Sequence, residues 1–368
     1  MVSTLTDELL TDRAVVDLLL EASLLVGHDI VAGRVEVHRT DRRNNNFQVR
    51  TADGRGFFIK QAGTPASQIT LRNEAQALGS RSATCREGPD PYMPRILHYD
   101  PQRNVLVTEL LPSLSLGGRV LNSVHNLLPE QVASAGETLA RVHLSIAPPA
   151  SVESQFPLGI ALYKPGLELY RNSSRRNIQL LAALQSDETL CQHLMTLDRS
   201  WQRSNFIHGD VKLDNIVQSE RDGRRISVLV DWEFAGSGDI RWDVGSVAGE
   251  ILYMWIVDVV RRELGSASPP ESDHRGTQAL EQVRLLIAAF FKSYCDAAGK
   301  PFDAIFIGEC FGFAAARLLQ TTYEAGQYRS ELDLFAVKTL QMAANIAANC
   351  DGCVRVFLDP GKDPGKPV

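Results

Sequence analysis

The sequence predicts an α+β chain in two parts: a small N-terminal part built on an antiparallel sheet, and a larger, mainly helical C-terminal part. Three observations predict this class. Residues 33–61 alternate between apolar and polar side chains, as the strands of a half-buried sheet do. From residue 129 onward, apolar residues instead recur at helical spacing. Among these helical segments, two short apolar runs flank Asp222-Gly223, which is a strong signal for a β-hairpin.

The N-terminal part begins with an amphipathic pattern over residues 7–25, which predicts a helix packed on the sheet. Three strands follow as a meander, RVEVHRT, NFQVRT and GFFIKQ. A helix is predicted over residues 67–80. Residues 95–99 and 104–108 then add two strands, so a five-stranded antiparallel sheet is expected.

Pro112 and the loose SLSLGG sequence after it mark the end of this first part. Two domains are therefore predicted, residues 1–111 and 112–368. The second domain should consist mainly of helices, over residues 129–146, 166–197 (one or two helices), 244–264, 277–298, 302–325 and 331–349. Its last residues, 358–368, are rich in Pro, Gly and charge, which predicts a disordered tail.

Composition excludes several classes of partner. The chain has 368 residues, 44% of them hydrophobic, and a formal net charge of -6, so no general attraction to nucleic acid or to an anionic membrane is expected. No signal peptide and no segment long enough to span a bilayer is apparent, which predicts a cytoplasmic protein. Cys350 and Cys353 form a lone C-x-x-C without a second pair of zinc ligands, so inert thiols are favoured.

Three side chains with oxygen atoms surround the predicted hairpin. Asp210 and Asn215 precede its first strand, and Asp231 follows its second strand. Carboxylate and amide oxygens are suited to Mg²⁺, which usually shares its coordination shell with waters and substrate phosphates. The sequence therefore predicts a magnesium site at the base of the hairpin.

The spacing of His208-Gly209-Asp210-x-Lys212-x-x-Asn215 matches the catalytic loop of protein kinases, with Gly209 in place of the arginine. Asp231-Trp232-Glu233 stands where a kinase carries D-F-G. With these motifs the chain resembles the aminoglycoside phosphotransferase and choline kinase branch of the protein-kinase-like fold, from about residue 35 to about residue 326. The resemblance implies a two-lobed fold and a phosphotransferase that acts on an alcohol group.

The resemblance also implies roles for individual residues. Asp210 matches the base that orients the acceptor hydroxyl, and Asn215 and Asp231 match the residues that hold Mg²⁺. Lys212 stands where a lysine meets the γ-phosphate. Lys60, at the end of the third strand, matches the lysine that binds the α- and β-phosphates, with Glu74 as the glutamate that positions it.

The expected nucleotide is ATP, with GTP as the alternative. G-x-G-x-x-G is absent from the first hairpin, so the loop that ends in Asn44-Asn45-Asn46 is the candidate phosphate loop, with Arg43 and Asn46 as nucleotide contacts. Glu109 and Leu111 are predicted to form the hinge that meets the adenine. Of the neighbouring residues, His208 is expected to pack behind the catalytic loop. Asp239 and Asp243 are expected to cap a helix and brace that loop.

The acceptor is open among three hypotheses. The combination of RRNNNFQV, GFFIKQ, HGDVKLDN and VDWEFAGSGDIRWDVG is similar to a group of phosphotransferase-like proteins that act in lanthipeptide and thioamitide biosynthesis. That resemblance implies phosphorylation of Ser or Thr in a precursor peptide, with a separate lyase as partner. The second hypothesis is a small-molecule kinase acting on an aminoglycoside, choline or another metabolite. For choline, an aromatic cage is expected, with candidates Tyr253, Trp255, Tyr294 and Tyr323. The third is a pseudokinase that binds a peptide or a partner without chemistry.

Overall fold

The structure is a computed structural model, and it describes residues 9–41, 44–84, 91–111, 115–119, 123–145, 154–265, 274–300 and 303–358. The strands are β1 (Val35–Asp41), β2 (Asn45–Thr51), β3 (Gly56–Gln61), β4 (Ile96–Asp100), β5 (Val105–Glu109), β6 (Asn205–Ile207), β7 (Ile216–Arg221), β8 (Arg224–Leu229) and β9 (Gly236–Gly238). The helices are α1 (Asp12–Glu21), α2 (Gly27–Val31), α3 (Pro65–Thr84), α4 (Leu116–Arg119), α5 (Pro129–Ser145), α6 (Leu158–Ala161), α7 (Leu167–Asn172), α8 (Arg175–Gln185), α9 (Glu188–Ser200), α10 (Ile240–Gly265), α11 (His274–Ala297), α12 (Ala304–Ala325), α13 (Leu334–Ala348) and α14 (Cys350–Leu358). Short 3-10 turns lie at Val124–Asn126 and Leu213–Asn215.

The chain forms two compact units. The first unit comprises Met1–Ser113 and Ser219–Ala235, and the second comprises Leu114–Gln218 and Gly236–Val368. The first unit thus takes in most of the hairpin, a segment that the sequence-based division at residue 112 places with the C-terminal domain.

The first unit is built on a five-stranded sheet with the order β1-β2-β3-β5-β4, in which every neighbouring pair is antiparallel. Alternation along β2 and β3 puts Phe47, Val49 and Ile59 on one face of the sheet, where they are fully buried. Helix α1 covers that face with Val15, Leu18 and Leu19. The opposite face carries Asn46 and Lys60 together with the apolar residues Phe58 and Leu106.

Helix α1 begins later than the sequence predicts. The amphipathic pattern extends over residues 7–25, but the helix starts at Asp12 because the Thr11 side chain accepts a hydrogen bond from the Ala14 backbone N–H and caps it. The last turn ends at Glu21, before Ser23, which has a positive φ of 57°. Residues 7 and 8 lie outside the described residues.

The predicted hairpin is present as β7 and β8. Asp222 and Gly223 connect the strands with φ values of 50° and 73°. Two successive positive φ values define a type I′ turn, whose twist matches that of the flanking strands. The Asp-Gly signal therefore correctly predicts the turn.

The second unit is mainly helical, and its centre is the pair α10 and α12. Ile251 and Leu252 of α10 and Phe311 and Leu318 of α12 are fully buried. The sequence predicts one or two helices over residues 166–197, whereas the structure has three, α7, α8 and α9. The extra breaks follow from local capping, because the side chains of Ser174 and Asp187 each accept a backbone N–H of the helix that follows them.

Helix α12 is long and apolar enough, by length and composition, to cross a membrane, which corrects the expectation that no segment reaches that length. Of its apolar window, 67% is buried inside the structure. Such burial is typical of a core helix, which needs apolar residues on all sides for the same reason that a membrane helix does.

Candidate active site

The first group of candidate residues lies in the first unit and centres on Lys60 at the end of β3. Its ammonium Nζ donates to Glu74 Oε1 and Oε2 at 2.9 and 2.8 Å and to Asp231 Oδ1 at 2.6 Å. Glu74 lies on α3 and Asp231 follows β8. The structure therefore brings together three residues that the sequence predicts as one functional group.

The three side chains differ in exposure and share one positive charge. The Glu74 side chain is 5% exposed and the Lys60 side chain 11%, but that of Asp231 is 34% exposed. Burial alone would lower the pKa of Lys60, but the carboxylates of Glu74 and Asp231 outweigh it and raise that pKa. Burial raises the pKa of Glu74, and the Asp231 carboxylate adds to the effect. Lys60 is thus permanently charged, and Asp231 is the carboxylate that solvent and ligands reach.

The backbone at Asp231 has an unusual conformation, with a φ of 69°. A residue other than glycine pays about 1–2 kcal/mol for the left-handed region. The next residue, Trp232, is fully buried and its indole N–H donates to the Leu229 carbonyl at 2.6 Å. This anchor holds the turn that aims the Asp231 carboxylate at Lys60, and strain of this kind is typical of functional sites.

Asn46, a predicted nucleotide contact, is paired with Lys60 across β2 and β3. Residues directly opposite each other in an antiparallel pair project to the same face, so both side chains lie on the face of the sheet away from α1. Asn46 is 8% exposed, and its Oδ1 has no hydrogen-bond partner among the described residues. Arg43, the other predicted contact in this loop, lies outside the described residues.

Glu109 of the predicted hinge has structural partners within the first unit. Its carboxylate accepts both Nη atoms of Arg221, from Nη1 at 3.0 Å and from Nη2 at 2.5 Å. Its backbone N–H donates to the Arg95 carbonyl at 3.0 Å. Leu110 donates to the Gly56 carbonyl, and Leu111 follows as the last described residue before residue 112. The Glu109 side chain and backbone N–H are thus engaged within the first unit, and the hinge role of both residues stays a prediction.

The second group lies in the second unit, on the loop between β6 and β7. Asp210 Oδ2 accepts the Lys212 ammonium at 2.8 Å and, more weakly, the Asn215 amide at 3.4 Å. The same amide donates to the Asp210 carbonyl at 2.9 Å, which closes the loop over its 3-10 turn. The predicted base, the predicted γ-phosphate lysine and the predicted metal ligand of this loop thus form one hydrogen-bonded set.

The loop backbone is fixed from behind, as the sequence predicts. Asp243, fully buried at the start of α10, accepts the backbone N–H groups of His208 and Gly209 at 2.7 and 3.0 Å. His143 contacts Asp243 and the Tyr294 hydroxyl and is a core histidine. His208 is fully buried, and Asp239 caps α10 by accepting the Arg241 N–H. The glycine that replaces the kinase arginine, Gly209, has a φ of 82°, which accounts for its identity.

Sequence reasoning missed Arg317, which lies on α12, 107 residues after Asp210. Its Nη1 donates to Asp210 Oδ1 at 2.9 Å and its Nε donates to Glu250 Oε1 at 3.1 Å. Burial alone would raise the pKa of Asp210, but the guanidinium of Arg317 and the ammonium of Lys212 together lower it. The one available signal was a lone arginine within the apolar run FGFAAARLL, because a buried charge requires a partner.

The aromatic residues considered for a cation cage do not all have that role. Tyr294 and Tyr323 are each 3% exposed, and their hydroxyls pair with His143 and Ser173. Tyr294 also stacks on Phe306. Two of the four candidates are thus core residues, which removes most of the sequence-based argument for a choline cage.

Three comparisons with known proteins bear on this geometry. The model of the phosphotransferase enzyme family matches residues 34–281, about two thirds of the chain. A curated relative, the probable acyl-CoA dehydrogenase IBR3 of Arabidopsis thaliana, is 29% identical over 107 residues. This alignment covers 29% of the chain but only 12% of that protein.

Solved structures of kinases align over most of the chain. A choline kinase from Cryptosporidium parvum Iowa II gives a TM-score of 0.56 at 12% identity, covering 92% of this chain and 96% of that one. A Plasmodium vivax ethanolamine kinase gives 0.51 at 13% identity and covers 89% and 85%. The choline kinase LicA from Streptococcus pneumoniae gives 0.51 at 14% identity and covers 92% and 99%.

At these identities the structural likeness concerns the fold, and it confirms the predicted kinase-like α+β class. The family match confirms the predicted resemblance to phosphotransferases. The match extends over well more than half of the chain. The chain therefore belongs to the phosphotransferase enzyme family.

Proposed function

We propose that the protein transfers the γ-phosphoryl group of ATP to the hydroxyl of an alcohol. The observation that supports this most is the ion triad of Lys60, Glu74 and Asp231, in which all three contacts are 2.6–2.9 Å long. A buried lysine held by a helix glutamate is the arrangement that binds the α- and β-phosphates of a nucleotide in kinases. The presence of this triad together with the set around Asp210 favours an enzyme over a pseudokinase.

The side chains of Lys60 and Asn46, neighbours on one face of the sheet, support nucleotide binding. The oxygens of a phosphate group would accept charge-assisted hydrogen bonds from the Lys60 ammonium, in place of the water that burial excludes. Asn46 offers a buried amide whose Oδ1 lacks a partner among the described residues. Such an atom costs free energy unless a ligand or a water satisfies it, so this side of the sheet fits a polar ligand.

On the motif in which each lies, Asn215 and Asp231 are each proposed as a ligand of Mg²⁺. The described hydrogen bonds of the Asn215 side chain use its nitrogen, and its oxygen is a hard donor of the kind this ion prefers. Asp231 offers a carboxylate that is one third exposed. When bound, the ion neutralises charge on the transferring phosphoryl group.

Asp210 would receive the proton of the acceptor hydroxyl. As the acceptor oxygen forms a bond to the γ-phosphorus, the bond from that phosphorus to the β–γ bridging oxygen breaks, and ADP leaves with its electron pair. Lys212, whose side chain is 30% exposed, would leave Asp210 Oδ2 and bind the γ-phosphate oxygens. Because the pKa of Asp210 is lowered, it acts mainly by orienting the hydroxyl, as a loose transition state for phosphoryl transfer permits.

For the acceptor we propose a Ser or Thr hydroxyl of a ribosomally made precursor peptide, with a separate lyase that eliminates the phosphate. The support is the set of sequence motifs RRNNNFQV, GFFIKQ, HGDVKLDN and VDWEFAGSGDIRWDVG. The second candidate is a small alcohol, favoured by the kinase folds that align with the chain, among them choline and ethanolamine kinases.

The test follows label from γ-labelled ATP, with Mg²⁺, into an extract of the producing cells separated into peptide and small-molecule fractions. Asp210→Asn is the inactive control. Asp214→Asn is its matched partner, because Asp214 is an exposed aspartate in the same loop.

Label in the peptide fraction that disappears in Asp210→Asn but persists in Asp214→Asn supports the peptide acceptor. Label in the small-molecule fraction that disappears in Asp210→Asn but persists in Asp214→Asn would instead identify a small alcohol as the acceptor. Nucleotide binding by a folded protein with label in neither fraction contradicts the proposed activity and favours a pseudokinase.

A further inference from the structure

The two oxygens of the Asp210 carboxylate have different surroundings. Oδ1 accepts Arg317 Nη1 at 2.9 Å, and the Arg317 side chain is only 1% exposed. Oδ2 accepts Lys212 Nζ at 2.8 Å, and the Lys212 side chain is 30% exposed. Oδ1 therefore faces the interior of the second unit, and Oδ2 faces the side that solvent reaches.

Arg317 is itself held in place on its other edge. Its Nε donates to Glu250 Oε1 at 3.1 Å, and the Thr321 hydroxyl donates to the same oxygen at 2.9 Å. Glu250 lies on α10 and its side chain is 8% exposed. A guanidinium has its donors in one rigid plane, so fixing one edge on Glu250 fixes the direction of the other edge toward Asp210.

We infer that Arg317 is a positioning residue for phosphoryl transfer, which clamps Oδ1 of Asp210 so that the acceptor hydroxyl meets Oδ2 alone. The inference rests on the proposed function, in which Asp210 receives the hydroxyl proton. A carboxylate without this clamp can rotate about its χ2 torsion, which is broad for an sp³–sp² bond. The clamp restricts Asp210 to one orientation before the acceptor binds.

A stabilising role alone does not account for the arrangement. A buried ion pair contributes little net stability, since its desolvation offsets most of the attraction, and apolar side chains of similar volume serve as well. Positioning, by contrast, requires a charged partner for Asp210 that is itself held in place. Arg317, with Glu250 as its counterion, is such a partner.

The test uses a charge-balanced double variant of the full chain, Arg317→Gln with Glu250→Gln. Removing the arginine alone would leave the Glu250 carboxylate buried without its cation and would destabilise the fold. The matched control is Arg176→Gln with Asp333→Asn. That pair joins a buried arginine to an aspartate at 3.2 Å in the same unit, and Asn still caps α13.

The first measurement needs no acceptor. Crystal structures of the two double variants are compared at the Asp210 side chain. The inference expects a rotated or doubly occupied carboxylate in Arg317→Gln with Glu250→Gln, and an unchanged one in the control. An unchanged carboxylate in both overturns it.

The second measurement is the rate of ADP formation from Mg·ATP at a saturating amount of the extract fraction that accepts label. The Arg317 and Glu250 double variant should lower kcat by about 10²-fold with the KM for ATP within about twofold of the parent value, as expected for misplacement of a reacting group. Arg317→Lys should recover part of that loss. An equal loss of kcat in both double variants overturns the inference, because general destabilisation would explain it.

Asp210→Asn is measured in parallel to separate the two proposals. If Asp210→Asn is inactive while the Arg317 and Glu250 double variant has full kcat, the positioning role of Arg317 is wrong and the assignment of Asp210 stands. If Asp210→Asn itself retains full kcat, the assignment of Asp210 is wrong, and the role of Arg317 is wrong with it.

Discussion

The two groups of candidate residues have opposite charge arrangements. In the first unit one cation, Lys60, is shared by two carboxylates, Glu74 and Asp231. In the second unit one carboxylate, Asp210, is held by two cations, Lys212 and Arg317. The first group carries one net negative charge, whereas in the second Arg317 is also paired with Glu250.

The difference indicates which ligand each group suits. Excess negative charge, located on the partly exposed Asp231, favours a divalent cation, and the buried Lys60 favours phosphate. In the second group the two cations keep the Asp210 carboxylate ionised. A hydroxyl, which is uncharged and donates one hydrogen bond, is the ligand that such a carboxylate suits.

The largest effect is expected at Asp210. Asp210→Ala should lower kcat by about 10²–10⁴-fold, or about 3–5 kcal/mol of barrier, because the acceptor hydroxyl loses the group that orients and deprotonates it. The KM for ATP should change little, since the Lys60 group is intact. Steady-state kinetics of ADP formation check both values, and a variant with parental turnover would contradict the account of the second group.

A smaller effect is expected at Glu74. Glu74→Gln leaves Lys60 paired with Asp231 alone, so the lysine loses a hydrogen bond to a charged group, worth about 1.5–3 kcal/mol. The value of kcat/KM for ATP should fall by about 10- to 100-fold. Glu36→Gln, at an exposed position on β1, is the control and should be neutral. Equal kinetics for the two variants would show that Lys60 needs only Asp231.

A further effect is expected from a change in the backbone of the catalytic loop, at Gly209. Gly209→Ala places a side chain at a φ of 82°, which should cost about 1–2 kcal/mol of stability and displace Asp210 from Lys212. Gly166→Ala is the control, because Gly166 has an ordinary φ of -70° and an added Cβ would meet no other atom within 4 Å. Tm and kcat should both fall in the first variant alone. A loss of Tm without a loss of kcat would separate loop strain from catalysis.

The smallest effect is expected at Cys350 and Cys353, two partly buried thiols on α14. Burial raises the pKa of the Cys353 thiol to about 12 and that of the Cys350 thiol to about 11. A thiol is the neutral acid, so below these values it stays protonated and reacts slowly. Alkylation of the folded protein at pH 7.5 should be far slower than that of free cysteine and should rise with pH toward 11. Rapid alkylation at pH 7.5 would contradict the inert assignment.

The fold was predictable because each of its signals is local. Alternation identified β1, β2 and β3, and the Asp-Gly turn identified the hairpin, since neither depends on distant parts of the chain. Helix α14 was missed because Cys350-Asp-Gly-Cys353 reads as a turn. In the structure, the backbone N–H of Cys353 donates to the Asn349 carbonyl one helical turn earlier at 3.3 Å, as that of an interior helical residue does.

The candidate site was predictable only where a motif carries it. Lys60, Glu74 and Asp231 follow from motif spacing, and the structure does place them in contact. Arg317 and Glu250 have no motif, because their roles arise from the packing of α10 against α12. Nothing local to the FGFAAARLL run specifies that Asp210 is the partner of its arginine.

The most direct test of the account is a ³¹P NMR time course of Mg·ATP with the extract fraction that accepts label, run with the parent protein, Asp210→Asn and Asp214→Asn. We expect a new phosphomonoester resonance that grows in equal amount with ADP, in the parent and in Asp214→Asn but not in Asp210→Asn. Release of inorganic phosphate alone, or an equal phosphomonoester signal in Asp210→Asn, would contradict it.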